Sequence, residues 1–175
     1  MATFKTSKAV GQTITIIVAA SPGYWKYNHD GIDSAVYPSM ASDSNGIQAT
    51  ITNANGEFTL IACTPDGTSP SYGYVGMVNL QNQQITSFNA TALTDITWLK
   101  LSDNPLTSSI NNQILHQLVL HGKHYGYFAT TGGRTHVGNS DYNSLLTNAH
   151  WTLEGLNLII VENNKLRVRG VNSGI

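Results

Sequence analysis

The chain has 175 residues, 41% of them hydrophobic, with 9 Lys and Arg against 10 Asp and Glu and a formal charge of −1. Only 11% are charged, against about 25% in an average domain, and Asn, Ser and Thr together outnumber them more than two to one; so weak a field argues against a nucleic-acid or anionic-membrane binder. The single cysteine, Cys63, excludes an intrachain disulfide framework, and no stretch approaches the ~20 apolar residues of a spanning helix.

From the N-terminus, the apolar run Ile14–Ala20 is broken by Thr15 and lacks the continuous apolar centre of a secretory signal, which predicts a chain that is not exported or is a mature fragment. Up to Cys63 short β-branched and aromatic segments alternate with turn residues. Strands are expected over Thr13–Ala19, Tyr24–Tyr27, Ile47–Thr52 and Glu57–Ala62, with turns at Ser21-Pro-Gly23, Asp30-Gly31 and Asn53-Ala-Asn-Gly56. Cys63 follows Ile61 and Ala62 and reads as a buried strand thiol. Residues 64–74, rich in Pro, Gly and Ser, mark a boundary between a module over 1–70 and another over 71–175.

An apolar frame then recurs, with apolar positions first, fourth, sixth and eleventh and a polar ninth. It fits Val75, Val78, Leu80, Gln83, Ile85; Ile96, Leu99, Leu101, Asn104, Leu106; and Leu115, Leu118, Leu120, Lys123, Tyr125. Each copy predicts one short strand and a polar return, stacked on its neighbours. The segment 126–138 reads as a loop or hairpin. A short helix is expected over Asn139–Ala149, capped by Ser140 or Asp141, followed by strands over Leu156–Val161 and Lys165–Arg169 around a Glu162-Asn-Asn164 turn. Leu153, Leu156 and Leu158 repeat the frame and suggest a closing fourth coil.

The middle frame, Ile96 to Leu106 with Asn104, resembles the leucine-rich-repeat signature. With Trp25 and Asp30-Gly31 upstream and the Asn143–Leu153 segment downstream, the chain is similar to a polycystic-kidney-disease-like, Ig-like module followed by short leucine-rich repeats, as in surface and phage proteins of gut bacteria. The resemblance implies a mainly β fold: an N-terminal Ig/PKD-like β-sandwich plus a short leucine-rich-repeat-like solenoid with one C-terminal helix. It also implies a non-catalytic structural or recognition protein. Foremost is a virion surface component, capsid-decorating or fibre-associated, working through contacts with other virion or surface proteins, another copy of the chain, or a host glycan. A bacterial surface adhesion or carbohydrate-binding module is the alternative, with a glycan-acting hydrolase behind it. No cofactor, metal or membrane insertion is expected.

In-register stacking would turn three rows outward: Met77, Trp98 and Gln117; Asn79, Lys100 and Val119; Gln81, Ser102 and His121. A Trp among neutral hydrogen-bonding side chains can stack on a sugar or anchor a protein. Tyr72, Tyr74, Tyr125 and Tyr127 make a candidate aromatic rim. His121 and His124, three apart beside Gly122, lack the helical face and carboxylates of a metal site, and Thr131-Gly-Gly-Arg134 lacks the Lys-Ser/Thr of a phosphate loop and reads as a flexible turn.

Overall fold

The computed structural model describes residues 2–39, 48–53, 56–162 and 165–169. In chain order these form β1 (Ala2–Thr6), β2 (Thr13–Ser21), β3 (Tyr24–His29), β4 (Ile32–Asp33), β5 (Tyr37–Pro38), β6 (Gln48–Thr52), β7 (Phe58–Cys63), β8 (Tyr74–Asn79), β9 (Ile85–Asn89), β10 (Trp98–Lys100), α1 (Ser108–His121), β11 (Tyr127–Ala129), α2 (Asn139–Asn143), β12 (Thr152–Glu154), β13 (Leu158–Glu162) and β14 (Lys165–Arg169). The fold is mainly β, as expected. Parts of the expected strand at 47–52 and of the turns at 53–56 and 162–164 lie outside the described residues.

Two six-stranded sheets face one core. The first runs β4-β3-β7-β1-β9, with β5 also on β3, and is antiparallel throughout. The second runs β12-β11-β10-β8-β2-β6. Alternation builds both: on β2, Ile14, Ile16 and Val18 are wholly buried while Thr13 and Thr15 turn outward, until a bulge between Ala19 and Ala20 resets the register. Phe4, Trp25, Phe58 and Leu60 answer from the first sheet within the same core. Cys63 at the end of β7 is fully buried, and burial pushes its thiol up.

The boundary expected at residue 70 does not divide the sheets. β8 pairs with β2, and β9 pairs with β1, so strands from both sides of the 64–74 loop share both sheets. A break in composition there marks a long connection, because the strands on either side bury the same apolar surface.

The frames at 75–85 and 96–106 supply β8 and β10 as expected, but the third does not supply a strand. Residues 108–121 form α1, which buries Ile114, Leu115 and Leu118 on one face. Thr107 caps its start by accepting from the Ile110 amide at 3.3 Å, and Gly122 in the left-handed region ends it, its N–H returning to the Val119 carbonyl. Leucines three and five apart satisfy the strand frame only until these caps are counted. The third parallel strand is β11, inside the segment expected to be a loop or hairpin, and Leu153 of β12 takes the fourth place.

Strands β8, β10, β11 and β12 form a parallel ladder. Its inward row is Val78, Leu99, Phe128 and Leu153. Parallel neighbours need long crossovers, and here β9, α1 and α2 fill the three in turn. The helix expected at 139–149 begins with α2, continues as one wider turn over Ser144–Asn148, and starts at Gly138 without a side-chain cap from Ser140 or Asp141.

Asn104 ties the first crossover. Its Nδ2 donates to the carbonyls of Leu80 and Leu101, both at 2.9 Å, and its Oδ1 accepts the amides of Gln83 and Ile85, both at 2.9 Å. A single buried amide thus satisfies four backbone groups that the turns leave unpaired.

Candidate functional site

The outer face of the ladder is where the outward rows assemble. Register sets Met77 beside Trp98, Trp98 beside Tyr127 and Tyr127 beside Thr152; one turn of the pleat onward, Asn79, Lys100, Ala129 and Glu154 follow in the same order. Neighbouring strands lie about 4.8 Å apart, so directly opposed aromatic side chains must meet face to face. The rings of Trp98 and Tyr127 do so, with centroids 5.2 Å apart and planes 23° apart.

Both rings are half-buried. Met77, on the far side of Trp98, is nearly buried, whereas Thr152, on the far side of Tyr127, is exposed. The Tyr127 hydroxyl donates to Glu154 Oε2 at 2.9 Å. Partial burial first, then this carboxylate, pushes the phenol up to about 12, so it remains a donor at neutral pH and holds Glu154 in one orientation. Glu154 Oε1 carries no intramolecular partner among the described residues.

Lys100 and Glu154 stand two strands apart with the small Ala129 between them, and they form no ion pair with one another. Asn79 uses its Oδ1 to accept the Gln81 amide at 3.0 Å. Gln81 and Ser102 lie just past the strand ends; Gln81 Nε2 donates to Asp103 at 2.8 Å, and the Ser102 carbonyl accepts the Asn82 amide at 3.0 Å.

Six of the nine residues expected to turn outward therefore sit together: Met77, Asn79, Gln81, Trp98, Lys100 and Ser102. Gln117 and His121 do not, nor does Val119, because α1 carries them away. Gln117 Oε1 accepts the Ala90 amide at 2.8 Å, and His121 Nε2 meets the Thr91 carbonyl at 3.2 Å. Partial burial lowers the His121 pKa. Their places are taken by Tyr127 and Ala129, and the row is completed by Thr152 and Glu154. The signals that would have found these residues are the Thr107 cap and Gly122, which move the third strand from 115–120 to 127–129.

The aromatic rim divides. Tyr127 belongs to the Trp98 pair, Tyr125 is exposed and stacks on His150 with centroids 5.5 Å apart, and Tyr72 and Tyr74 are exposed near the start of β8 with no ring contact among the described residues.

The turn after β11 holds the site's outer strands in place. Asn111 Nδ2 donates to the carbonyls of Thr131 and Gly133, each at 2.7 Å, and its Oδ1 accepts from the Thr130 hydroxyl at 2.9 Å. Arg134, only 6% exposed, donates to Asn139 Oδ1 and the Leu156 carbonyl, with its guanidinium carbon 3.8 Å from the Tyr142 ring centroid. The Thr131–Arg134 segment is consequently a tied turn, not a flexible one. Elsewhere, His29–Asp30 (3.5 Å) and His116–Asp141 (3.3 Å) are imidazole–carboxylate pairs with one member open to solvent.

No protein-family model, curated protein or solved structure matches the chain.

Proposed function

We propose that the protein is a non-catalytic recognition and structural component of a virion or cell surface, docking through the outer face of the parallel ladder. The observation that carries this reading is the Trp98–Tyr127 stack, a rigid aromatic pair left half-exposed on a sheet face and bordered by hydrogen-bonding groups. Rigid aromatic anchors lose little conformational entropy on binding and dominate the energetics of recognition surfaces. The weakly charged, Asn-, Ser- and Thr-rich composition suits dense packing with other surface proteins.

The finer architecture belongs to the same reading. The first sheet with β2 and β6 is an Ig/PKD-like sandwich, and the ladder is a short leucine-rich-repeat-like solenoid whose inward residues Val78, Leu99, Phe128 and Leu153 succeed one another at comparable intervals. Asn104 takes the part of a ladder asparagine.

A photoreactive benzoyl-phenylalanine at Lys100, which inserts into C–H bonds of sugars and proteins alike, tests the face. Leu120, 70% exposed on α1, is the control position. Irradiation in the native host extract should give a discrete adduct from position 100 and none from 120; adducts from 120 alone, or from neither, defeat the proposal. Cosedimentation with purified particles then separates the virion setting from the cell-surface one.

A further inference from the structure

The second sheet ends on two strands with no strand beyond them among the described residues, β6 at one edge and β12 at the other. An open edge presents N–H and C=O groups to any chain that can pair with them, and proteins guard such edges with charges, Pro or bulges. β6, Gln48-Ala-Thr-Ile-Thr52, carries none of these: it has no charged residue and no Pro, and it pairs with β2 in unbroken register. On β12 the single charged residue, Glu154, is held on the outer face by the Tyr127 hydroxyl. The inward row also ends unfinished there. Val78, Leu99 and Phe128 are wholly buried, whereas Leu153 is only partly covered, as the last coil of a stack is until something caps it.

The two edges match in direction. β12, β11, β10 and β8 run parallel, β2 runs against β8, and β6 runs against β2, so β6 points the same way as β12.

They also match in hydrogen-bond parity. Tyr127 N–H donates to the Thr97 carbonyl at 2.8 Å and Thr152 N–H to the Gly126 carbonyl at 2.8 Å, while Leu101 and Thr130 N–H donate forward to Ala129 and Glu154. Outward-facing residues thus bond back to the preceding strand, and inward-facing ones bond on to the next. Leu153 therefore directs its N–H and C=O at the open edge, between the Trp151 carbonyl and the Gly155 amide, neither of which has a backbone partner among the described residues. A strand added there must offer the backbone of its own outward-facing residues. On β6, Asn53 N–H donates to the Gln12 carbonyl at 2.7 Å. Antiparallel alternation then gives Ile51 and Ala49 the bonds to β2 and turns the backbone of Thr50 and Thr52 to the edge. Thr50 and Thr52 are the exposed, outward-facing residues of β6, so the condition is met. The opposite parity would have put the apolar face of one copy against the polar face of the other.

We propose that the β12 edge of one copy takes the β6 edge of a second copy of this chain as its next parallel strand. With Ile51 beside Leu153, Thr50 N–H donates to the Trp151 carbonyl and Leu153 N–H to the Thr50 carbonyl. Thr52 N–H then donates to the Leu153 carbonyl, and Gly155 N–H to the Thr52 carbonyl. Ile51 continues the inward row, and Thr50 and Thr52 stand beside Thr152 and Glu154 on the outer face. Main-chain bonds of this kind are how an added strand is held. Because the two edges differ, each joined pair keeps one of each free, and the contact extends head to tail until a rotation closes it. Trp98 and Tyr127 remain uncovered, so this contact is separate from docking through the outer face.

The test mixes two full-length variants, Thr50→Cys and Thr152→Cys, with a short bismaleimide. Cys63 is fully buried in both, and the wild-type chain is the control. Joined edges bring positions 50 and 152 of different copies about one strand spacing apart, ~4.8 Å, but leave like positions six strands apart, about 29 Å. The mixture should give a covalent dimer in which the two halves derive from different variants, and either variant alone should give none. A chain carrying both substitutions should give dimers, trimers and longer products. In sedimentation velocity, the mean mass of the wild-type chain should rise with concentration, and Thr50→Pro should stay monomeric. That substitution removes an N–H directed at the open edge, so it costs the sheet no internal bond; the cross-linking result does not depend on its folding. The proposal is overturned if the mixture yields no more dimer than the wild-type control. It is equally overturned if either single variant cross-links to itself as readily, which would indicate like edges meeting, or if a folded Thr50→Pro associates as the wild type does.

Discussion

Asn104 Nδ2 donates to the carbonyl of Leu80, 24 residues earlier in the chain, at 2.9 Å. With its bonds to Leu101, Gln83 and Ile85, this contact fixes the end of β8 against the end of β10 and so sets the register that places Trp98 and Lys100 beside Met77 and Asn79. Asn104→Ala would leave two amides and two carbonyls seeking partners in a site only 5% exposed. Each unsatisfied buried group costs about 1–3 kcal/mol before relaxation and entering water reduce it, and a net loss of about 3 kcal/mol is expected. Asn104→Asp should also destabilise, since it removes the donor and buries a charge. Urea unfolding followed by circular dichroism measures both; wild-type stability in either variant would show that the amide is dispensable.

Gly155 shows a different dependence on packing. A Cβ there would stand 1.7 Å from the Thr130 carbonyl oxygen, and the residue's φ is +71°. Gly11 has φ +89° but nothing within 4 Å of its Cβ position. Gly11→Ala should therefore cost only the left-handed backbone penalty, about 1–2 kcal/mol, while Gly155→Ala should displace β12 from β11 and lose several times that. Comparing the thermal midpoints of the two variants decides whether close approach or φ alone governs position 155.

The phenol of Tyr127, raised to about 12, makes stability depend on pH in a defined direction. The folded chain holds this proton more tightly than the unfolded chain, whose tyrosines ionise near their ordinary value of about 10. Its contribution is present in full below about pH 10 and declines as pH rises from about 10 towards 12. Tyr127→Phe should flatten the fall in stability over that window, and an ultraviolet titration should lose one late-ionising phenol. Tyr27 is also raised, by burial and by Tyr37, so some dependence will remain.

Arg134 joins a buried charge to a turn. Burial lowers the pKa of its guanidinium, yet it is stabilised by Asn139, the Leu156 carbonyl and the Tyr142 face. Arg134→Lys should destabilise by about 1–3 kcal/mol, because an ammonium cannot reproduce the planar fork that donates in two directions while stacking. Hydrogen exchange at the amides of Arg134 and Ile159, which bond the carbonyls of Asn157 and Arg134 respectively, should speed up in the variant. Unchanged protection would mean that the turn does not rely on the guanidinium.

Much of the fold is legible in the sequence. Alternating Ile14, Ile16 and Val18 announced β2, the Val75 and Ile96 frames announced β8 and β10, and Leu153 marked the fourth rung. The third rung was misread because Leu115, Leu118 and Leu120 fit a strand frame by spacing, although Leu120 is 70% exposed and the helix face runs through Ile114, Leu115 and Leu118. Hydrophobic spacing in a short apolar segment serves strand and helix alike, and only the flanking caps discriminate.

The sequence by itself determined the β-rich character, the weak surface charge, and the outward pairing of Met77 with Trp98 and Asn79 with Lys100, because side-chain alternation along a strand is a local property of the backbone. Only the tertiary structure decided which segments pair: β1 with β9, β2 with β8, and β11 between β10 and β12. Those pairings join residues tens of positions apart, and they depend on which apolar faces can be buried together. Tyr127, Thr152 and Glu154 reach Trp98 and Lys100 through them, so the site exists only once the ladder has closed over its core.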